Sequence, residues 1–280
     1  MRETTAERYA RRVVLSLLTL FVLVPLFAMV SSAVKPLRDV QGTFTWLPTH
    51  PTVAAFVDMW TTVPLARYLM NSLVVSTCAA IISVTVAIFA AFAVSRYRFR
   101  GRTLFSVTVL STQMFPGILF LLPLFLIYVN LGNATGIQLY ASRAGLIITY
   151  LTFSLPFSIW MLVGYLGAIP RGLDEAAQVD GAGAFRLFWS IVLPMSRPII
   201  GVVSVFAVIA TWKDYLWPLL VLRNPDLQPL SVRLPTLQPT TELDIFIAAL
   251  TISSVIPIAL FLLFQRMFLQ GAGLSGALKG

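Results

Sequence analysis

The chain has 280 residues, of which 58% are hydrophobic and 11% charged, and its mean hydropathy is +0.87. A soluble domain carries roughly a quarter charged residues, so a water-soluble globular protein is excluded and the apolar excess must face lipid. The net charge of +9 does not point to nucleic acid, because the basic residues flank long apolar runs instead of interleaving with aromatics on a soluble surface.

Taken in chain order, six runs reach the roughly 20 mostly apolar residues that a spanning helix needs. They cover 13–34, 69–95, 104–131, 144–168, 199–222 and 245–264. None alternates with period two, which argues against a barrel. The expected class is an all-α integral membrane protein of six transmembrane helices, with one domain over 1–280. Arg11 and Arg12 precede the first run, which is longer than a signal h-region and reads as a retained span. With the N-terminus inside, 13 Lys and Arg fall on inner segments, 6 on outer segments and Lys213 within a span, which together make the 20 of the chain. That bias places both termini in the cytosol.

The first outer loop, 35–67, carries Trp46 and Trp60, residues that favour the membrane interface. The segment Arg96–Arg102 is a short basic hairpin. The third run contains Phe115, Pro116 and Gly117, and the fourth contains Pro156. Proline frees backbone carbonyls that protein or a water-filled cavity must satisfy, so these helices either line a pathway or are simply bent packing helices.

The segment 170–195 is the one sizeable inner excursion. Pro170 suits a helix start, and Asp174 and Glu175 follow in the first turn, where the helix dipole favours acids. Leu173, Ala176, Ala177 and Asp180 share one face by spacing. Gly181 and Gly183 then allow a sharp turn. A second amphipathic stretch sets Phe185, Phe188, Trp189 and Val192 on one face, and Pro194 ends it. Two short helices at an angle are predicted. The second lies against the bundle, and the first presents small residues and acids outward. The ending 271–280 is Gly-rich and has little helix propensity.

Several chemistries lack their residues. The only lysines are Lys35, Lys213 and Lys279, and none sits in a phosphate-cradling loop. His50 is the sole histidine and Cys78 the sole cysteine, so no multi-histidine metal site and no intrachain disulfide is available. No catalytic constellation is evident.

Glu175-Ala176-Ala177, then Gly181, then Ile191, Leu193 and Pro194 resemble the signature loop of ABC importer membrane subunits. Asn71-Ser72, Phe115-Pro116, Trp212 with Trp217-Pro218, and Gln265-Arg266 before the Gly-rich ending are similar to carbohydrate permeases of the maltose-type class. They match in particular its six-span partner with a Gly-rich C-terminal tail. The resemblance implies an importer permease of a bacterial or archaeal inner membrane, with no cofactor of its own and ATP and Mg²⁺ on a partner. The implied partners are a dimer of ATP-hydrolysing subunits, a second and different permease, an external sugar-binding protein and the bilayer. Asp174, Glu175, Ala176, Ala177, Gly181, Ile191, Leu193 and Pro194 would dock the ATPase, and the tail at Gly276 and Lys279 would touch it. Pro116, Trp212, Lys213, Asp214 and Tyr215 are candidate pathway residues. Lys213 departs from the family, which often has Asn there. A charge within a span is costly and usually functional; Lys213 and Asp214 either border the path or form a structural ion pair. The alternative is a secondary, ion-coupled transporter, which would need relay residues at the midplane.

Overall fold

The computed structural model describes residues 4–237 and 242–277, with side chains through 267. Among the described residues every regular element is helical, as expected where lipid offers no partner for backbone N–H and C=O groups. Five helices are long and apolar enough to cross a membrane, or six if the bent pair Ala184–Met195 and Arg197–Trp212 forms one span.

Two compact units divide the chain. One is Met1–Ala66 with Leu234–Val255, the other Arg67–Arg233 with Ile256–Gly280. In the first unit, α1 (Thr5–Ala33) opens on a reciprocal cap. The Thr4 hydroxyl accepts from the Glu7 N–H, and the Glu7 carboxylate accepts from the Thr4 N–H at 2.7 Å, which satisfies two orphan donors of the first turn. Short helices α2 (Leu37–Val40) and α3 (Ala54–Thr62) follow. The loop between them folds back onto the residues before α2: the buried Lys35 ammonium donates to the Thr45 carbonyl and lies 5.5 Å from the Phe44 ring centroid. A hydrogen bond from Thr49, helped by His50 and Arg38, holds the half-buried Asp39 carboxyl below the usual carboxylate range.

The second unit is built around α4 (Leu65–Arg96) and α7 (Arg143–Ala168). Between them come α5 (Arg102–Thr112), a 3-10 turn Gly117–Phe120 and α6 (Leu121–Thr135). The apolar run read as one span at 104–131 is therefore interrupted at 113–116, a stretch that ends on Pro116, which cannot donate a helical hydrogen bond. After α7 come α8 (Gly172–Val179), α9 (Ala184–Leu187), a π-turn Phe188–Val192 and α10 (Leu193–Met195). Then α11 (Arg197–Trp212) leaves at 69° to the preceding helical stretch. The run read as 199–222 is likewise broken, because α11 ends at Trp212 and a short α12 (Leu216–Val221) resumes. Helices α13 (Leu230–Leu237) and α14 (Leu243–Ala277) complete the order.

Helix α14 runs through Gly271, Gly273 and Gly276 to Ala277, where composition predicts little helix. Extension of an existing helix avoids the costly nucleation step, so the roughly 1 kcal/mol lost at each glycine does not stop it. Lys279 lies outside the described residues.

The core of the second unit joins Ala87, Ala91 and Phe92 of α4 to Leu162 and Leu166 of α7, Phe188 and Val192 of the π-turn, and Val203 of α11. Gly201 permits a close approach of α11 and α14: a Cβ there would stand 2.1 Å from the Met267 sulfur.

Candidate functional site

Two features of the second unit carry the residues singled out above. The first is an elbow formed by α8, α9, the π-turn and α10. Helix α8 closes on Gly181, whose φ of +78° lies in the left-handed region. The Ala182 N–H bonds the Ala177 carbonyl at 2.9 Å, and the Gly181 N–H bonds Gln178 at 3.0 Å. This is the glycine-terminated helix end in which two orphan carbonyls are satisfied at once. The bend predicted at Gly181 is thus made by a residue without a Cβ penalty.

The faces of α8 divide sharply. Glu175, Ala176 and Val179 are exposed, whereas Asp174 and Ala177 are buried. The expectation that both acids face outward is corrected for Asp174. Its Oδ2 lies 2.8 Å from Arg96 Nε at the end of α4, and both side chains are almost fully buried. Arg96 also donates to the Ile169 carbonyl at 3.4 Å, and Arg171 donates to the Ser95 carbonyl at 3.4 Å. The pair clamps the base of the elbow to the end of α4. Arg96 Nη2 and Asp174 Oδ1 are buried without a hydrogen-bond partner in this chain. Removing one member would strand a buried charge, which costs about 3–5 kcal/mol.

The second limb also departs from its predicted face. Phe188 and Val192 are buried, but Phe185 is 78% exposed and Trp189 is exposed as well. Phe185 lies in α9, before the π-turn, and its ring centroid stands 5.9 Å from that of Trp189, off the buried face; within the π-turn more residues fill each turn than in an α-helix. Ile191 and Leu193 pack against the core from partly buried positions, and Pro194 is half-buried. Glu175, Ala176, Gly181, Val179 and Phe185 therefore form the outer surface, and Asp174, Ala177, Ile191 and Leu193 support it from within. A shallow groove of about 370 Å³ runs between the limbs beside Ala176, Asp180, Arg186 and Ser190.

The second feature is a cleft of about 400 Å³ between α7 and α11. Both helix interruptions reach it, through Gln113 on one side and Asp214 on the other. Asp214 Oδ2 accepts the Tyr150 hydroxyl at 3.0 Å and the Trp217 N–H at 3.3 Å, and the Asp214 carbonyl accepts the Ser231 hydroxyl at 2.5 Å. Gln113 donates to the Phe153 carbonyl at 3.4 Å, one turn from Pro156. The Phe153 and Trp217 rings stand 5.1 Å apart along the wall. The other sequence candidates do not join this cleft. Trp212 lines a separate one of about 240 Å³ beside Ser76 and Thr77, while Pro116, Lys213 and Tyr215 are exposed outside both. No ion pair joins Lys213 to Asp214 among the described residues, in keeping with the roughly 100° between neighbours on a helix.

Asn71 and Ser72 do a different job. Asn71 Nδ2 donates to the Asp226 carbonyl at 2.8 Å and to the Gln228 carbonyl at 3.0 Å, while its Oδ1 accepts from Arg143 at 2.6 Å. The Ser72 hydroxyl accepts the Leu230 N–H at 2.8 Å. Together they staple the loop after α12 to α4 and α7.

Residues 83–272, over half the chain, match the family described as binding-protein-dependent transport system inner membrane component. The chain belongs to this family. It is the permease family of ABC transporters, and the matched stretch contains both the elbow and the cleft. Similar permeases include the maltodextrin transport system permease protein MdxG of Bacillus subtilis (strain 168), 30% identical over 95% of this chain and 94% of that protein. The diacetylchitobiose uptake system permease protein NgcG of Streptomyces coelicolor is 30% identical over 90% of this chain and 83% of that one. Among solved structures, a bacterial ABC transporter involved in the import of the acidic polysaccharide alginate superimposes with a TM-score of 0.76. It is 21% identical and covers 95% of this chain and 98% of that one, a likeness of fold.

Sequence reasoning missed Arg96, Tyr150, Ser154 and Gln113. Arg96 sat in a basic hairpin that the insertion rule already explained. For the polar residues of the cleft the signal was the pair of interruptions near Pro116 and Asp214, which are tolerated at membrane depth where they border a cavity.

Proposed function

We propose that this permease is the membrane-spanning half-channel of an ATP-driven importer for sugars or sugar-like solutes. Uptake of maltodextrin and diacetylchitobiose by similar permeases supports the substrate class. A second solved structure of the same fold, the alginate transporter in complex with an alginate pentasaccharide-bound periplasmic protein, supports an external sugar-binding protein as partner. The chain performs no bond chemistry. ATP and Mg²⁺ belong to a separate pair of ATP-hydrolysing subunits, and a second, different permease completes the pathway in the inner membrane.

The single observation that carries this reading is the two-sided elbow. An exposed strip of Glu175, Ala176, Val179 and Phe185 projects from the chain, while Asp174 behind it is locked to α4. Exposed apolar side chains beside an acid and a small residue suit a tight protein contact. An elbow held by a buried charge pair moves as a rigid body with α4, which is what alternating access requires of it. The cytosolic side is assigned to the elbow by the Arg-rich segments that flank it. Contact of the tail, at Gly276 and Lys279, with the same ATPase pair is part of this proposal.

The test is uptake into proteoliposomes that hold the complete transporter, with external binding protein and labelled oligosaccharide. Uptake is expected to need ATP on the elbow side and to persist when the proton gradient is collapsed. Uptake driven by a proton gradient without ATP would reject the proposal.

A further inference from the structure

The geometry points to a solute subsite within this chain: the cleft between α7 and α11 takes a neutral polyhydroxylated ring, with Tyr150, Ser154, Gln113 and Asp214 as polar contacts and Phe153 and Trp217 as its apolar wall. The inference rests on the importer reading and adds that this permease itself touches the cargo and disfavours acidic sugars.

Four observations carry it. The cleft's volume of about 400 Å³ falls in the range of small-molecule sites, roughly 300–1,000 Å³. The Ser154 hydroxyl oxygen is buried at its edge and has no hydrogen-bond partner; such a group costs about 1–3 kcal/mol until something satisfies it. Two helices are interrupted beside the same space, at Gln113 and at Asp214. Irregular backbone within apolar runs is tolerated where protein or a water-filled cavity satisfies it. Finally, the lining mixes aromatic faces with hydroxyl, amide and carboxyl groups, the combination that fits a sugar ring with an apolar face and a rim of hydroxyls.

The charge inventory narrows the class. Asp214 is the cleft's one carboxyl, and no Lys or Arg lines it. A uronate would enter with its carboxylate unpaired, and burying an unpaired charge is expensive. Neutral saccharides and polyols carry no such penalty. Tyr150 and the backbone N–H groups of Tyr215, Leu216 and Trp217 hold Asp214, which fixes a half-exposed carboxyl where ring hydroxyls can donate to it.

The chain's single cysteine, Cys78, makes the test clean. In a Cys78→Ser background, Ser154→Cys is assembled into the full transporter and treated with a charged methanethiosulfonate reagent. Maltotriose, N,N′-diacetylchitobiose and a tetrameric oligouronate serve as probes. Modification is expected in at least one nucleotide state and should slow at least threefold with a neutral probe. Ser154→Ala should raise the uptake KM for that probe about fivefold. Three results overturn the inference: no modification in any state, which would mean that lipid or the second permease fills the cleft; no protection together with an unchanged KM; or preferential import of the oligouronate. If the wild-type transporter moves none of the probes with ATP, the importer reading fails first and the subsite falls with it.

Discussion

The elbow of α8 to α10 and the cleft between α7 and α11 belong to one compact unit, yet they treat buried polarity in opposite ways. At the elbow a full charge pair is sealed: Arg96 and Asp174 meet at 2.8 Å with side chains 5% and 10% exposed. In the cleft the carboxyl of Asp214 is hydrogen-bonded yet stays half-exposed. A sealed pair fixes geometry and gains little net stability. A half-open group has bonding capacity left for a visitor. The difference separates a part built to transmit motion from a part built to accommodate a changing occupant.

That contrast can be broken most directly at the sealed pair. Asp174→Ala should cost about 3–5 kcal/mol, the usual penalty for a buried partner left alone. It would appear as a large drop in the detergent melting temperature and loss of the assembled complex. The double replacement Arg96→Met with Asp174→Leu should restore much of the melting temperature without restoring full uptake, since the apolar pair packs but does not orient α8. Recovery of both would show that the ions are mere filling.

On the exposed face, Glu175→Lys should leave the melting temperature in place and lower uptake at least tenfold, because it reverses charge only where a partner is proposed to grip. Gly181→Val tests the hinge between the faces. A β-branched residue at a φ of +78° is strained by about 1–3 kcal/mol, so both melting temperature and transport should fall moderately; unchanged transport would remove the hinge from the account.

Inside the cleft, Tyr150→Phe removes one hydrogen bond to Asp214, worth about 0.5–1.5 kcal/mol, and should change uptake KM more than the folded stability. Smallest of all is Lys213→Ala. Lys213 is exposed and outside the cleft, so uptake within twofold of wild type is expected, and a large loss would relocate the pathway.

Much of this was legible in the sequence where the cause is local. Gly181 announced a turn because only glycine tolerates that backbone cheaply, and the start of α8 followed from Pro170 and the acids behind it. The all-helical membrane class followed from the length of the apolar runs. The Arg96–Asp174 contact was hidden, because its members lie far apart in the chain and each had a sufficient local reason to exist, Arg96 as a basic flank and Asp174 as a dipole partner. A related limit bears on Trp189: periodicity assumes an α-helix, and the π-turn Phe188–Val192 changes the count of residues per turn. Lys213 is a different case. Charges in an apolar run draw attention, but α11 ends at Trp212 and Lys213 is exposed, so its place at a helix end was not legible from the run alone.

Cross-linking along α8 puts the two-faced elbow to its most direct test. In a Cys78→Ser background, single cysteines at 175, 176 and 177 are each paired with a panel of cysteines on the ATP-hydrolysing subunit of the intact transporter. The account predicts that Glu175→Cys and Ala176→Cys form cross-links in at least one nucleotide state and that Ala177→Cys, buried against α4 and α7, forms none. Cross-linking through position 177 alone, or through none of the three in any state, would contradict it.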